Sequence, residues 1–347
     1  DKEKYEIVPI GITKKGRWLV GGDPMKALET GEDTGSRPAA LSGDPSHRGL
    51  MLLESAEASE VLELDVVFPV LHGPYGEDGT VQGLLELAGI PYVGAGVTAS
   101  ALGMDKAVFK DLMRAHGLPV VDYLVLKRKD WEAEPEAVIE HVEARFAYPV
   151  FTKPANLGSS VGISKCHDRA GLRTGLAEAA RYDRKILVEV AVPQAREIEV
   201  SVLGNDEPIA SVPGEIIPSR EFYSYEAKYL DSGDKASKLL IPAPLPSEMM
   251  ERVRDLAVRA YKAIDCTGMA RVDFLLSAET GKLYLSEVNT IPGFTAISMY
   301  PKLWGASGLP YPELIDRLIE LAFERHRDRQ RSETSYQPRL DEAGQGE

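Results

Sequence analysis

Residues 269–289 read MARVDFLLSAETGKLYLSEVN, and this stretch decides the fold of the second half of the chain. Two apolar runs, 269–276 and 282–289, flank the polar segment 278–281, which ends in glycine. Apolar runs on both sides of a short polar turn are the pattern of a β-hairpin. The sequence therefore predicts two neighbouring antiparallel strands in this region.

Four polar side chains on the predicted hairpin indicate a metal site. Arg271 and Asp273 share one face of the first strand, and Glu287 and Asn289 share one face of the second. Protein-bound Mg²⁺ usually has few carboxylate ligands besides phosphate oxygens, so Asp273, Glu287 and Asn289 would suit one or two Mg²⁺ or Mn²⁺ ions that hold ATP. On the alternative interpretation, with about even odds for a hairpin alone, these residues form a solvated polar face with an ion pair to Arg271.

The segment that follows the second strand favours the metal site. It reads Thr-Ile-Pro-Gly-Phe-Thr at 290–295, where Gly293 presents a backbone N–H with no side chain beside it. Such a donor stabilises a developing oxyanion, and the Arg271 guanidinium would share that task. A Pro-Gly pair standing alone is more often a plain turn, so this interpretation depends on the neighbouring hairpin.

A second candidate site is the Gly/Ser loop, which reads Lys-Pro-Ala-Asn-Leu-Gly-Ser-Ser-Val-Gly at 153–162. A strand that ends in Lys153 and continues into glycines and serines can place backbone N–H groups and hydroxyls over anionic oxygen. The order of residues differs from that of a Walker A loop. By itself such a turn is a hairpin rather than a phosphate lid by roughly three to one, and the lysine at the strand end shifts those odds.

Composition excludes several classes of protein. With 40 Lys and Arg against 54 Asp and Glu, the formal net charge is −14, which argues against nucleic-acid binding. An anionic substrate would need local lysines and metal ions to invert this field. Cys166 and Cys266 fit neither a disulfide framework nor a metal site, and no apolar run is long enough to span a membrane. We therefore expect a cytoplasmic protein without nucleic-acid or membrane partners.

Length and periodicity predict an α/β protein of several domains. At 347 residues the chain exceeds a single compact core, which favours roughly two or three domains. We expect strands at 5–12 and 64–71 in an N-terminal α/β unit, then one helix at 98–116 across a domain boundary near residue 102. A last helix is predicted at 312–326, followed by a frayed tail.

Six short blocks follow one another in a fixed order. They are HGPYGEDG at 72–79, GMDK at 103–106, KPANLGSSVG at 153–162, YEAKY at 225–229, RVD at 271–273 and EVNTIPG at 287–293. Together they resemble the ATP-grasp superfamily and, more narrowly, the D-alanine–D-alanine ligase family. The resemblance implies an ATP-grasp fold, α/β with an α+β C-terminal half, preceded by a small α/β N-terminal domain.

The resemblance also implies a division of the chain into parts. The N-terminal domain would comprise residues 1–102, and the central ATP-grasp subdomain with the Gly/Ser loop would comprise 103–190. The C-terminal subdomain at 191–326 would carry the metal and catalytic residues, and 327–347 would form a flexible tail. The polar, aromatic stretch at 220–238 is expected to be a long functional loop.

The nucleotide-binding residues implied by the resemblance surround the phosphates, the adenine and the ribose of ATP. Three lysines match phosphate contacts, the last of them to the γ-phosphate, and a serine of the Gly/Ser loop lies with them. A hinge segment pairs with adenine, and a carboxylate after it binds the ribose hydroxyls. In that order, the residues are Lys106, Lys153 and Lys228, then Ser160, then Glu189 with Val192, then Glu197.

The remaining implied roles concern catalysis and the amino-acid substrate. Asp273, Glu287 and Asn289 match metal ligands, Arg271 matches the cation of the transition state, and Gly293 is expected to supply the oxyanion N–H. Another pair is expected to close the site by a hydrogen bond, and three further residues are expected to line the pocket of the second substrate. These are Ser159 with Tyr229, and His72, Ser298 and Met299.

The resemblance implies ATP-dependent joining of two D-alanines through an acyl phosphate, for peptidoglycan precursors, by an enzyme that is expected to be a homodimer. The alternatives are another ATP-grasp carboxylate–amine ligase, including one that joins D-alanine to D-lactate, and a nucleotide-binding protein impaired in turnover. The last arises because the family's first strand, with a His-Glu-Val-Ser-like segment whose glutamate holds the first D-alanine's ammonium, has no counterpart before residue 5. The intact catalytic set favours a preceding segment over a real loss.

Overall fold

The computed structural model describes residues 3–23, 26, 35–53, 60–218, 237–295, 297–333 and 335. The strands in these ranges are β1 (Ile10–Ile12), β2 (Trp18–Val20), β3 (Arg37–Leu41), β4 (Gly49–Leu52), β5 (Val61–Glu63), β6 (Tyr123–Lys127), β7 (Val150–Pro154), β8 (Ser164–Cys166), β9 (Lys185–Val190), β10 (Ala195–Leu203), β11 (Ile209–Ala210), β12 (Gly214–Ile217), β13 (Lys238–Leu240), β14 (Met269–Ser277) and β15 (Leu283–Asn289). The helices are α1 (Thr80–Leu87), α2 (Val97–Met104), α3 (Lys106–Ala115), α4 (Arg128–Ala133), α5 (Pro135–Arg145), α6 (Arg169–Tyr182), α7 (Ser247–Ala263), α8 (Met299–Ala306) and α9 (Tyr311–Gln330).

The described strands form three antiparallel sheets. The first is a meander in the order β1-β2-β3-β4-β5, and the second has the order β6-β9-β7-β8. The third has the order β13-β12-β10-β14-β15, with β11 paired to β10. Helices α5 and α6 cover the second sheet around Ile139, Val142 and Leu172, and α7 covers the third around Val253 and Ala257. The Gly/Ser loop connects β7 to β8 in the second sheet. The predicted hairpin is formed by β14 and β15 at one edge of the third sheet.

The N-terminal sheet differs from the expected α/β unit in its strands. Strand β1 is limited to Ile10–Ile12, and residues 64–71 lie outside the strands apart from one parallel bridge between Val67 and Tyr92. Pro9 and Pro69 explain both differences, because a proline has no backbone N–H to donate to a ladder. The strand predicted over 5–12 was too long, and the strand predicted over 64–71 was wrong.

The helix expected at 98–116 is two helices, α2 and α3. Asp105 stands between them with extended backbone, φ −83° and ψ 95°, and its side chain accepts hydrogen bonds from the N–H groups of Ala107 and Val108. An aspartate that caps a helix in this way satisfies N–H groups that would otherwise lack partners. The break makes Lys106 the first residue of α3.

The C-terminal helix α9 extends to Gln330, so the prediction that it ends at His326 was wrong, and so was a tail that begins at 327. Arg325 donates to the carbonyl oxygens of Tyr92 and Gly94, and Arg329 pairs with Glu86. These contacts hold the last turns of α9 against the N-terminal region, which sequence periodicity does not reveal. No described helix combines the length and the apolar character needed to cross a membrane.

Candidate active site

The hairpin of β14 and β15 forms as predicted, and its register places four polar residues on one face. Arg271 lies opposite Asn289, and Asp273 lies opposite Glu287, ahead of a bulge after Asp273. Residues directly opposite one another in an antiparallel pair have side chains on the same face. The pairs predicted separately on each strand therefore form a single group.

Asp273 is the centre of this group. Arg271 donates from Nε and Nη2 to the two carboxylate oxygens of Asp273, each over 2.7 Å. The amide of Asn289 donates to Asp273 Oδ2 over 3.0 Å. Burial by itself would lower the pKa of Arg271, but the carboxylates of Asp273 and Glu199 outweigh burial and raise that pKa above its ordinary value.

Glu199 belongs to the same group and was missed from the sequence. It lies on β10 directly opposite Asp273, and its Oε2 is 3.0 Å from Arg271 Nε. Its side chain is 5% exposed, so its charge needs a partner. The alternation of Glu197 and Glu199 along β10 was the available signal. We call Glu199, Arg271, Asp273, Glu287 and Asn289 the carboxylate cluster.

A second charged group lies where α3 meets β7 and β9. Lys153 Nζ is 2.7 Å from Glu189 Oε2, and Lys110 Nζ is 3.1 Å from Glu189 Oε1. Burial would raise the pKa of Glu189, but the two ammonium groups outweigh burial and lower it to about 2. Lys110 was not among the predicted residues, although it lies one helical turn after Lys106 and therefore on the same face of α3. Lys106, Lys110, Lys153 and Glu189 are called the lysine cluster.

A small cavity joins the two clusters. It is lined by Lys106 at the start of α3, by Gly158 of the Gly/Ser loop, and by Glu287 and Asn289 of the hairpin. Glu77 also lines it, and its carboxylate accepts a hydrogen bond from the Gly73 N–H, which closes the loop at 72–79. The structure therefore gathers four of the six sequence blocks around one space.

The Gly/Ser loop is anchored at its base. The N–H of Asn156 donates to Asp183 Oδ2 over 2.7 Å, and its side-chain amide donates to Asp183 and to Asp105. Lys106 Nζ donates to the carbonyl oxygen of Leu157. Beyond this anchor Ser159 and Ser160 have left-handed backbone, φ 54° and 58°, which non-glycine residues rarely adopt.

The predicted second-substrate residues come together in part. A Cβ added to Gly293 would lie 2.7 Å from Ser298 Oγ and 3.9 Å from His72 Cε1, so these three residues meet closely. The Ser298 hydroxyl accepts a hydrogen bond from the Thr295 N–H. Met299, the first residue of α8, is buried in a hydrophobic cluster with Ile216 and Leu303.

The other predicted residues lie as follows. Val192 is in the connection between β9 and β10, and Glu197 is on β10, two residues before Glu199 and so on the same face. Lys228 and Tyr229, with the expected loop at 220–238 except its last two residues, lie outside the described residues.

The donor set of the hairpin fits Mg²⁺ with a nucleotide rather than a metal held by protein alone. Within the described ranges, no three His, Cys, Asp or Glu side chains are grouped so as to hold a metal ion. Asp273 and Glu287 supply two carboxylates and Asn289 an amide, and nucleotide phosphates commonly complete such a magnesium sphere. All three residues are hard oxygen donors, as this ion requires.

Comparison with known proteins gives a consistent family. Residues 1–95 match the family described as D-ala D-ala ligase N-terminus, and residues 112–320 match D-ala D-ala ligase C-terminus. The D-alanine–D-alanine ligase of Caldicellulosiruptor bescii is 55% identical over 95% of this chain and 89% of its own length. That of Heliobacterium modesticaldum is 50% identical over 98% and 92%.

Two solved structures of similar fold are a D-alanine–D-alanine ligase and a D-Ala:D-Ser ligase. The D-alanine–D-alanine ligase from Coxiella burnetii superimposes with a TM-score of 0.79 at 37% identity, covering 95% of this chain and 89% of the other. The VanG D-Ala:D-Ser ligase from Enterococcus faecalis gives 0.80 at 37% identity, covering 93% and 91%.

Proposed function

This chain belongs to the D-alanine–D-alanine ligase family, and from that premise we propose that it joins two D-alanines at the expense of ATP. The observation that carries the proposal is the cavity in which Lys106 and the Gly/Ser loop face Glu287 and Asn289. Cations on one wall suit phosphate, and oxygen donors on the other suit the divalent ions that accompany it.

The lysine cluster is proposed to bind the nucleotide. Lys106 and Lys153 would contact phosphates, the backbone of 189–192 would face adenine, and Glu197 would bind ribose. Ser159 and Ser160 lie on the loop above this space, and their left-handed backbone is supported by the anchor at Asn156. Lys228 and Tyr229 are proposed to complete the closed site from the loop at 220–238.

The carboxylate cluster is proposed to hold Mg²⁺ or Mn²⁺ through Asp273, Glu287 and Asn289. Bound divalent ions would neutralise the triphosphate and hold it for in-line transfer. The γ-phosphoryl would pass to the carboxylate of the first D-alanine, which leaves ADP. The amine of the second would then attack the carbonyl carbon of the acyl phosphate, and inorganic phosphate and a proton would leave as the peptide bond forms. Arg271 and the Gly293 N–H would stabilise the oxyanion formed in that attack, and loop closure would exclude water.

His72 and Ser298 are proposed to receive the second substrate beside Gly293, where they meet. The D-Ala:D-Ser ligase among the similar structures makes D-serine a specific second candidate. Since ATP-dependent synthesis of peptidoglycan precursors requires cytosolic ATP, we place the enzyme in the cytoplasm. A homodimer is proposed from the family, and light scattering in solution would test it.

The test is phosphate release from MgATP with D-alanine, combined with chromatographic detection of the dipeptide. We expect D-alanine-dependent phosphate release and D-alanyl-D-alanine, with D-serine and D-lactate poorer second substrates. Dominant use of D-serine or D-lactate would change the assigned product. Nucleotide binding without D-alanine-dependent release would contradict the ligase activity and favour a protein without turnover.

A further inference from the structure

Lys110 is a buried ammonium group to which the proposed mechanism assigns no task. Its side chain is 2% exposed, on the face of α3 that also carries Lys106. Its Nζ lies 3.1 Å from Glu189 Oε1 and 5.9 Å from the centre of the Tyr123 ring. A buried ion pair often adds no stability over apolar side chains of similar volume, so helix packing alone does not explain a lysine at this position.

Glu189 is shared between two lysines that differ in their surroundings. Its carboxylate is 4% exposed, with Lys110 at one oxygen and Lys153 at the other. Lys153 is 14% exposed, whereas Lys110 is 2% exposed and therefore enclosed. One carboxylate between two ammonium groups leaves a surplus positive charge, and the accessible lysine is the one able to offer it to an anion.

We propose that Lys110 is a positioning residue for nucleotide binding: it neutralises Glu189 so that Lys153 can turn its charge to the phosphates of ATP. The inference rests on the proposed function in that ATP is the anion. Without Lys110, Lys153 is the one cation left within ion-pair distance of Glu189 in the part of the chain that the structure describes. A buried carboxylate holds a single counter-ion tightly. Lys153 would then have to leave that pair before it could bind phosphate.

The experiment measures the Kd of MgATP by calorimetry without D-alanine, next to KM for ATP and kcat. In Lys110→Met we expect Kd and KM to rise about tenfold while kcat stays within about threefold, because ground-state nucleotide binding is affected. Lys110→Arg keeps the charge and should restore most of the affinity. Lys129→Met removes an exposed lysine and should leave all three values unchanged.

Epistasis separates this role from a merely structural one. Since Lys110 acts through Glu189, adding Lys110→Met to Glu189→Gln should change Kd by less than about twofold relative to Glu189→Gln alone. If Lys110→Met by itself does not fold, the comparison of Glu189→Gln with the double variant still tests the proposal. The double variant removes both charges of the buried pair together and so leaves neither one unpaired.

Two results would overturn the proposal. One is a Kd in folded Lys110→Met within about twofold of the parent, and the other is a further loss of about fivefold or more in the double variant relative to Glu189→Gln. Because the Kd is measured without D-alanine, a chain that binds MgATP but makes no dipeptide would refute the ligase activity and leave this inference standing.

Discussion

The lysine cluster and the carboxylate cluster are built from opposite ratios of charge. The first has three lysines and one carboxylate, that of Glu189, which pairs with Lys110 and Lys153. The second has three carboxylates and one guanidinium, that of Arg271, which pairs with Glu199 and Asp273. In both clusters the single group of opposite charge, the Glu189 carboxylate or the Arg271 guanidinium, lies among the others. Each cluster therefore presents the charge of its majority to the cavity between them.

The difference shows how an acidic protein can bind a triphosphate. A net charge of −14 repels nucleotides at long range, so a local group of cations must reverse the potential. The carboxylates opposite would repel phosphate again unless divalent ions intervened. Even before binding the two walls interact: burial lowers the pKa of Lys106, and the carboxylate of Glu287 opposes that shift.

The largest expected effect comes from changing the single cation of the carboxylate cluster. Arg271→Lys keeps the charge but loses the fork that meets both oxygens of Asp273. We expect kcat for dipeptide formation to fall about 100-fold or more, because an oxyanion donor is lost as well. Arg317→Lys, at a half-buried arginine that pairs with Glu320 and Glu324, is the control. A variant within about threefold of the parent would remove Arg271 from the transition state.

A smaller effect is expected from changing Glu199, which tests whether Arg271 needs both of the carboxylates that pair with it. In Glu199→Gln, Asp273 is the one carboxylate among the described residues that still forms an ion pair with Arg271, and Asp273 is also a proposed metal ligand. We expect kcat to fall about tenfold, equivalent to about 1.4 kcal/mol, while KM for ATP changes less than about threefold. Glu207→Gln, at an exposed glutamate, is the control. A lower melting temperature with unchanged kcat would assign Glu199 to stability alone.

Sequence patterns predicted local features of the two clusters better than their contacts. The hairpin followed from its own alternation, and Lys153 from its place at the end of a strand. Glu199 and Lys110 were missed because their roles depend on strand register and on burial, which join residues distant in the chain. The same limit explains the extra length of α9, since Arg325 and Arg329 bind residues more than two hundred positions away.

The smallest expected effect is a pH dependence of stability that the lysine cluster alone should produce. The pKa of Glu189 lies at about 2 in the folded protein, against an ordinary value of 4.5. A depressed carboxyl pKa stabilises the folded state above the ordinary value, and that stability is lost as the pH falls from 4.5 toward 2.

The reference is the double variant Lys110→Met, Glu189→Gln, in which neither residue titrates. Relative to it, the urea midpoint of the parent should be constant near about pH 6 and should decline below about pH 4.5. Parallel midpoints of the two proteins down to about pH 3 would mean that Glu189 does not depend on its two lysines for its charge, and the proposed contrast between the clusters would fail on that side.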